Sequence, residues 1–462
     1  MRQKARQVNT NQPAPDGLSG IGGGAGAARR ADSADRSTNE FIGVTPIADL
    51  AVVGAGAAGL MAAITAGRLG RCRSIAVLEG ARRPGAKILV SGGGRCNVTH
   101  DLVDETAFYG STPAGIRKVL RRFEVADTIR FFEELGVRMV REETGKLFPV
   151  DGNARSVLNA LLSAAGSAGA QVMAGWRVAS VRRENGRFEI VPEITAGREP
   201  LRAREVILAT GGRSLPKSGS DGHGYSIARS LGHTITPRVL PALVPLTIEK
   251  DCPIRDLPGV ACDARASIVS SSGRRLASID GPVLCTHFGL SGPAILDVSR
   301  HLIHTRLEDP GARLVVSWSP GETSASLDAL LVSAGGAGAG HLLSKKLPAR
   351  LAVTLCALAG VDPAAPCARL ERTVRRRLAG IVTGMEIPVT GDRGFTYAEV
   401  TAGGVPLAEM DLTTMRSRAC PGLMICGEIC DVDGRIGGHN FQWAWASGFV
   451  AGSSAGMSRT GS

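Results

Sequence analysis

The chain has 462 residues, of which 44% are hydrophobic and 21% charged. Single cores rarely grow past roughly 250–300 residues, so a globular chain of this length should hold more than one compact unit. A net charge of +12 raises nucleic acid as a partner. Yet Arg117, Arg121, Arg122, Arg130, Arg138 and Arg141 are interleaved with Glu124, Asp127, Glu133 and Glu134, and no aromatic residues punctuate a basic strip to stack bases.

A solvated basic surface with sites for anionic ligands is therefore the reading, and a nucleic-acid partner is not expected. Ten cysteines occur with no CxxC among them, against a zinc ribbon or a dithiol pair, and no other metal-ligand cluster stands out. No secretory segment is recognisable, so reduced thiols and a cytoplasmic protein are expected.

In chain order, residues 1–46 are rich in Gly, Ala, Ser and mixed charge and read as a disordered tail. From 47 to 240, apolar strand-like runs alternate with helical ones, an α/β pattern. Residues 241–390 break it, with short strands and Pro/Gly turns over 241–320 and helical stretches over 341–385. The α/β pattern returns at 391–455, and 456–462 is a second tail. The expected fold is a discontinuous Rossmann-like domain interrupted by a β-barrel-like and helical insertion that serves as a substrate or cap domain.

Residues 51–67 are uncharged over seventeen positions and resemble a membrane span. Asp49 precedes them, and their glycines fall where a phosphate-binding turn needs them, so no membrane role is expected. Leu50–Val53 is a short strand leading into Gly54-Ala-Gly56-Ala57-Ala58-Gly59, and Leu60–Leu69 reads as a helix. Gly54 permits a tight turn, Gly56 lets the backbone approach a pyrophosphate, and Gly59 lets helix and sheet pack closely. The helix start presents N–H groups and a positive dipole end to phosphate. Ser74–Leu78 is the second strand, closed by Glu79, whose carboxylate can bind both ribose hydroxyls. The acid favours an unphosphorylated ribose, hence FAD or NAD.

Further on, Lys87-Ile-Leu-Val-Ser91-Gly92-Gly93-Gly94-Arg95-Cys96-Asn97 is a second glycine-dense turn with a cation at each end. Lys87, Ser91, Arg95 and Asn97 can hold phosphate or flavin edges. A plain dehydrogenase has no use for this loop, which tips the choice to FAD. Cys96 beside it is read as a small buried residue rather than a redox thiol. His287, in Thr286-His-Phe-Gly, is an acid/base candidate or a packing turn. Cys420, Cys426 and Cys430 suit a buried strand better than a metal site.

Taken together, VVGAGAAGLMAA (52–63), KILVSGGGRCNVT (87–99), LATGGRSLPKSGSDGHGYSIA (208–228), THFGLSGPAILDVSR (286–300), VTAGGVPLAEMD (400–411) and the segment 421–452 resemble one family. It is the BaiN/RdsA-like (YhiN-like, aminoacetone-oxidase-like) group of NAD(P)/FAD-dependent oxidoreductases, and the resemblance covers about 47–455. It implies that Gly54, Gly56, Ala58 and Gly59 face the pyrophosphate and Glu79 the ribose. Lys87, Ser91, Arg95, Cys96 and Asn97 would lie near the ribityl chain and flavin, and Val178 would meet adenine through its backbone. Thr210 and Gly211 would sit where the chain re-crosses the cofactor, and Gly427, Glu428 and Asp431 would hold the ribityl chain. Gly438, His439, Asn440 and Phe441 would open a last helix aimed at the flavin. His439 departs from the family's usual tyrosine, which makes it a weak catalytic candidate, and His223 from its acidic residue.

The expected function is reduction of a small organic acceptor, with an activated C=C bond as one form of it. The electrons come from NAD(P)H, a transient co-substrate, through FAD. A second dinucleotide fingerprint is absent, so NAD(P)H would dock and leave. An amine or amino-ketone oxidase using oxygen is the alternative, and an RNA-associated flavoprotein the more distant one. The residues are silent on oligomeric state.

Overall fold

The computed structural model describes residues 47–193 and 198–457. The tail read at 1–46 and all but the first two residues of 456–462 lie outside the described residues.

Strand β1 (Ile47–Val53) is apolar because both its faces are covered. It pairs in parallel with β2 (Ile75–Glu79) on one side and with Leu201–Leu208 on the other. Ala170–Ala174 extends the sheet beyond β2, and Leu423–Ile425 extends it beyond Leu201–Leu208, both in parallel. An antiparallel hairpin, Val178–Glu184 with Arg187–Pro192, continues from the start of Leu201–Leu208. The chain thus leaves β1 for one side and later returns on the other. Such a switch point opens a crevice at the strands' carboxyl ends.

Helix α1 (Ala57–Arg68) lies against the last helix, His439–Ser454. A Cβ on Gly448 would come within 2.5 Å of the Ala58 carbonyl oxygen, and one on Gly452 within 2.3 Å of that of Ala62. Each pair is spaced one helical turn apart, so four small residues let two helix backbones touch. The uncharged window 51–67 is accounted for by the end of β1 and this buried helix. Among the described residues no helix is long and apolar enough to cross a membrane.

A second core is formed by residues between Leu246 and Val389. Its seven-stranded antiparallel sheet runs in space from Met385–Ile387 at one end to Val389–Asp392 at the other. Only Pro388 separates these two end strands, so the sheet must curl until its edges meet, as in a barrel. Helices Ser324–Ser333, Ala339–Ser344, Ala349–Leu358 and Arg372–Gly384 share this core.

Within the stretch expected to hold short strands alone, Pro293–Arg306 is a helix. Pro293 stands in its first turn, and Ile295, Val298 and Leu302 recur on one buried face. This helix also holds the other core. Arg300 donates to both carboxylate oxygens of buried Asp433, at 2.7 and 3.1 Å, and Asp297 accepts from the Ile436 N–H at 2.7 Å.

Candidate functional site

A cleft of about 420 Å³ follows the carboxyl ends of the parallel strands, within the size range of ligand sites. At its first end, the Gly54 N–H donates to the Leu78 carbonyl at 2.8 Å and its φ is +105°. A Cβ there would lie 2.4 Å from the Ala209 oxygen, and one on Gly59 1.9 Å from the Gly54 oxygen. These two glycines are demanded by the turn itself. Gly56 differs, because a Cβ on it would meet nothing within 4 Å and would enter the cleft. Gly56 also caps α1 without a side-chain hydrogen bond, which leaves the first-turn N–H groups facing the cleft. Glu79 accepts the Ala55 N–H at 2.9 Å and the Ala81 N–H at 2.8 Å. Its carboxylate therefore shapes the turn and retains lone pairs toward the cleft. Beside it, Arg177 pairs with Asp221 and Glu193, each at 2.6 Å, and the His223 ring meets the Ala179 carbonyl at 2.9 Å.

Midway along, Lys87 forms an ion pair with Glu428, and both hydrogen-bond Ser214, at 2.8 and 2.7 Å. Glu428 also accepts the Thr401 N–H at 3.0 Å. This cluster ties three segments far apart in sequence to one point on the wall.

The second end is assembled from more distant parts. Gly92, Gly93 and Gly94 all take positive φ, between +56° and +87°. Arg95 stacks on the Phe148 ring, 4.0 Å from its centroid, and pairs with Glu142 at 2.7 Å. The Asn97 amide oxygen is buried with no hydrogen-bond partner among the described residues. Gly438, at φ +101°, caps the last helix without a side chain, and Asn440 locks to Gly434 by two hydrogen bonds of 2.8 and 2.9 Å. A Cβ on Gly437 would lie 3.5 Å from Lys146 Cε, which places the lysine stem at this helix start. Glu399 lines the cleft and is exposed within it. Desolvation by the surrounding protein, with Asp297 nearby, pushes its carboxyl up, while Lys146 and Lys87 oppose the shift.

Of the residues singled out from sequence, Gly54, Gly56, Ala57, Ala58, Glu79, Lys87, Ser91, Gly92, Gly93, Arg95, Asn97, Val178, Thr210, Gly211, Gly427, Glu428, Gly438, Asn440 and Phe441 line this one cleft. Gly59, Cys96 and Asp431 stand behind its wall. Cys96 is fully buried, and burial pushes its thiol up to about 12, so it is no thiolate. Asp431 is held near Ser111, and burial raises its carboxyl to about 6.

Neither histidine candidate reaches the cleft wall. His439 is buried, stacked on His100 at 5.0 Å with its Nδ1 unpartnered among the described residues, and burial lowers its imidazole to about 4. His287 is exposed at the turn between Arg275–Thr286 and Gly289–Ser291, its carbonyl accepting from Arg255 at 2.9 Å. Lys146, Phe148, Trp176, Arg177, Leu243, Glu399 and Ile436 also line the cleft and escaped the sequence reading. Glu399 directly precedes VTAGGVPLAEMD, and Trp176 and Arg177 directly precede Val178, so adjacency to recognised segments was the available signal. Ile436 lies inside the recognised segment 421–452, and Lys146, Phe148 and Leu243 carried no such signal.

This fold and cleft define a Rossmann-type dinucleotide-binding protein. The sequence matches the family described as "HI0933-like protein Rossmann domain" over residues 48–454. The chain belongs to this family, the same group of flavin-dependent oxidoreductases that its segments resemble. It is 32% identical over 411 residues to a 3-dehydro-bile acid delta(4,6)-reductase of Clostridium scindens, covering 88% of this chain and 98% of that one. It is 31% identical over 407 residues to a ribosomal RNA dihydrouridine synthase of Escherichia coli, covering 87% and 96%. Among solved structures, a 3-ketosteroid delta1-dehydrogenase of Sterolibacterium denitrificans aligns over 89% of this chain and 99% of that one, at 14% identity and a TM-score of 0.48.

Proposed function

We propose that this protein uses FAD, reduced by NAD(P)H, to saturate a C=C bond conjugated to a carbonyl. The observation that carries FAD is one cleft running from the Gly54–Glu79 turn to the start of the last helix. The fit is supported by the cleft-facing Gly56, by two helix starts without side-chain caps, and by the buried, unpartnered Asn97 oxygen. The α1 start and Gly211 would hold the pyrophosphate, and Val178 and Glu79 the adenosine. Lys87, Glu428 and Ser91 would hold the ribityl chain, and Asn97, Gly93 and Asn440 the flavin edge. When bound, FAD supplies two-electron hydride chemistry.

The chain's own residues orient the acceptor and exclude water. The uncapped helix start at Gly438–Asn440 supplies positive potential to whatever negative charge develops nearby. One relative is a 3-dehydro-bile acid delta(4,6)-reductase and the other a ribosomal RNA dihydrouridine synthase, which supports a C=C bond as the acceptor.

The test is anaerobic. NADH or NADPH should bleach the bound flavin, and an enone such as 2-cyclohexen-1-one or a 3-keto-4-ene steroid should restore its colour. If neither nicotinamide bleaches it, the donor is wrong. If no enone restores it while oxygen with an amine turns over to peroxide, the oxidase reading replaces this one. A uridine in ribosomal RNA is a second acceptor reading, favoured by the +12 charge and the second relative. Dihydrouridine formed on isolated ribosomal RNA, with no turnover of small enones, would establish it.

A further inference from the structure

Four carboxylates line the cleft, and three are already engaged. Glu79 accepts two backbone N–H groups, Asp221 pairs with Arg177, and Glu428 is held by Lys87, Ser214 and Thr401. Glu399 is the exception. Its backbone is pinned, with its N–H donating to the Leu243 carbonyl at 3.1 Å and its carbonyl accepting from Ser214 at 3.3 Å. Its carboxylate has no hydrogen-bond partner among the described residues, and this exposed residue lines the cleft. The other titratable side chains of the wall are also committed, Arg95 to Glu142, Arg177 to Asp221 and Glu193, and His223 to the Ala179 carbonyl, while among the described residues the Lys146 ammonium has neither an ion pair nor a hydrogen bond.

Position along the cleft agrees with this. Lys146 packs at Gly437, Asp297 holds Ile436, and Lys87 sits midway, and these are the charges that act on Glu399. Glu399 also adjoins the small cluster of Leu243, Leu296 and Val400 against which Ile436 packs. It thus lies between the midway Lys87–Ser214–Glu428 cluster and the end built around the last helix.

The geometry points to Glu399 as the proton donor of the reductive step, a catalytic residue that protonates the acceptor's α-carbon. This rests on the reductase reading above. In that step the β-carbon receives a hydride, with its two electrons, from the reduced flavin, and the C=C π pair shifts to form an enolate. The α-carbon then takes the Glu399 proton as the carboxyl O–H bond breaks, and water later returns a proton to the carboxylate. Desolvation favours the protonated form beforehand, and Lys146 and Lys87 stabilise the carboxylate left afterwards. A carboxylic acid is also a stronger proton donor than an ammonium, which favours Glu399 over Lys146.

The test uses the FAD-loaded protein, reduced anaerobically with dithionite, then mixed with 2-cyclohexen-1-one or a 3-keto-4-ene steroid. Glu399→Gln should slow reoxidation by the enone by about 10²–10⁴-fold, the usual span for losing a general acid. Reoxidation by ferricyanide, which takes electrons without protonating carbon, should change less than about twofold. Independently of turnover, an infrared titration should show a carboxyl protonating above the usual carboxylate range in the wild type and lose it in Glu399→Gln. Enone reoxidation at the wild-type rate, or an equal slowing with ferricyanide, overturns the assignment. So does a selective loss in Lys146→Met with none in Glu399→Gln. If the wild-type protein reacts with ferricyanide but with no enone, the reductase reading itself falls, and the assignment with it.

Discussion

The two ends of the cleft are built in opposite ways. The Gly54–Glu79 end is one contiguous β–α–β unit, whose turn, helix start and acid follow one another within thirty residues. The far end draws Asn97, Lys146, Glu399 and Ile436–Phe441 from across more than three hundred residues, and it depends on the second core, whose helix Pro293–Arg306 grips the 433–436 loop. A contiguous site is set by local geometry, so single atoms of its backbone decide it. A dispersed site is set by tertiary clamps, so its weak points lie away from the cleft.

The clamp should be the costliest to break. Asp433→Ala would leave the half-buried Arg300 without its partner and should destabilise the protein by about 3 kcal/mol, read as a shift in the denaturant midpoint. A loss below about 1 kcal/mol would show that the far end does not depend on this ion pair.

At the contiguous end, Gly54→Ala forces a Cβ to 2.4 Å from a carbonyl oxygen at positive φ and should cost about 3 kcal/mol together with flavin content. Wild-type melting for this variant would mean the turn is less constrained than its geometry states.

The His439 imidazole offers a pH test of the dispersed end. Burial lowers it to about 4, so the unfolded chain, with the ordinary value near 6.5, takes up the proton first. Its contribution is present above about 6.5 and is lost as pH falls towards 4, by up to about 3 kcal/mol. His439→Tyr should flatten that decline in urea midpoints measured across the window, and an unchanged slope would contradict the burial. Asp431, raised to about 6, acts with the opposite sign in both proteins and cancels in the comparison.

Gly56→Val sharpens the contrast within the contiguous end. Its Cβ would meet no protein atom within 4 Å, so the apoprotein's stability should stay within about 1 kcal/mol while FAD affinity, followed by flavin fluorescence, falls at least tenfold. His287→Ala, at an exposed turn, should alter stability by less than about 0.5 kcal/mol and leave flavin content unchanged.

The same contrast explains what was legible in the sequence. The β1–α1–β2 unit announced itself because Gly54, Gly56 and Gly59 carry positional meaning, and because Glu79 follows at a fixed distance. The glycine-dense loop at 92–94 and the small residues of the last helix could be read for similar reasons. Lys146, Phe148 and Leu243 could not, since an isolated lysine, phenylalanine or leucine says nothing until the fold turns it into a wall. The buried helix Pro293–Arg306 was hidden among short strands because its apolar stripe is narrow and interrupted by Asp297 and Arg300, the residues that make the clamp.

The most direct test of the whole account is the cofactor released from purified wild-type protein by denaturation. The two-ended cleft predicts FAD, approaching one per chain after reconstitution. Absence of flavin from the purified protein, with no uptake of added FAD, would contradict it.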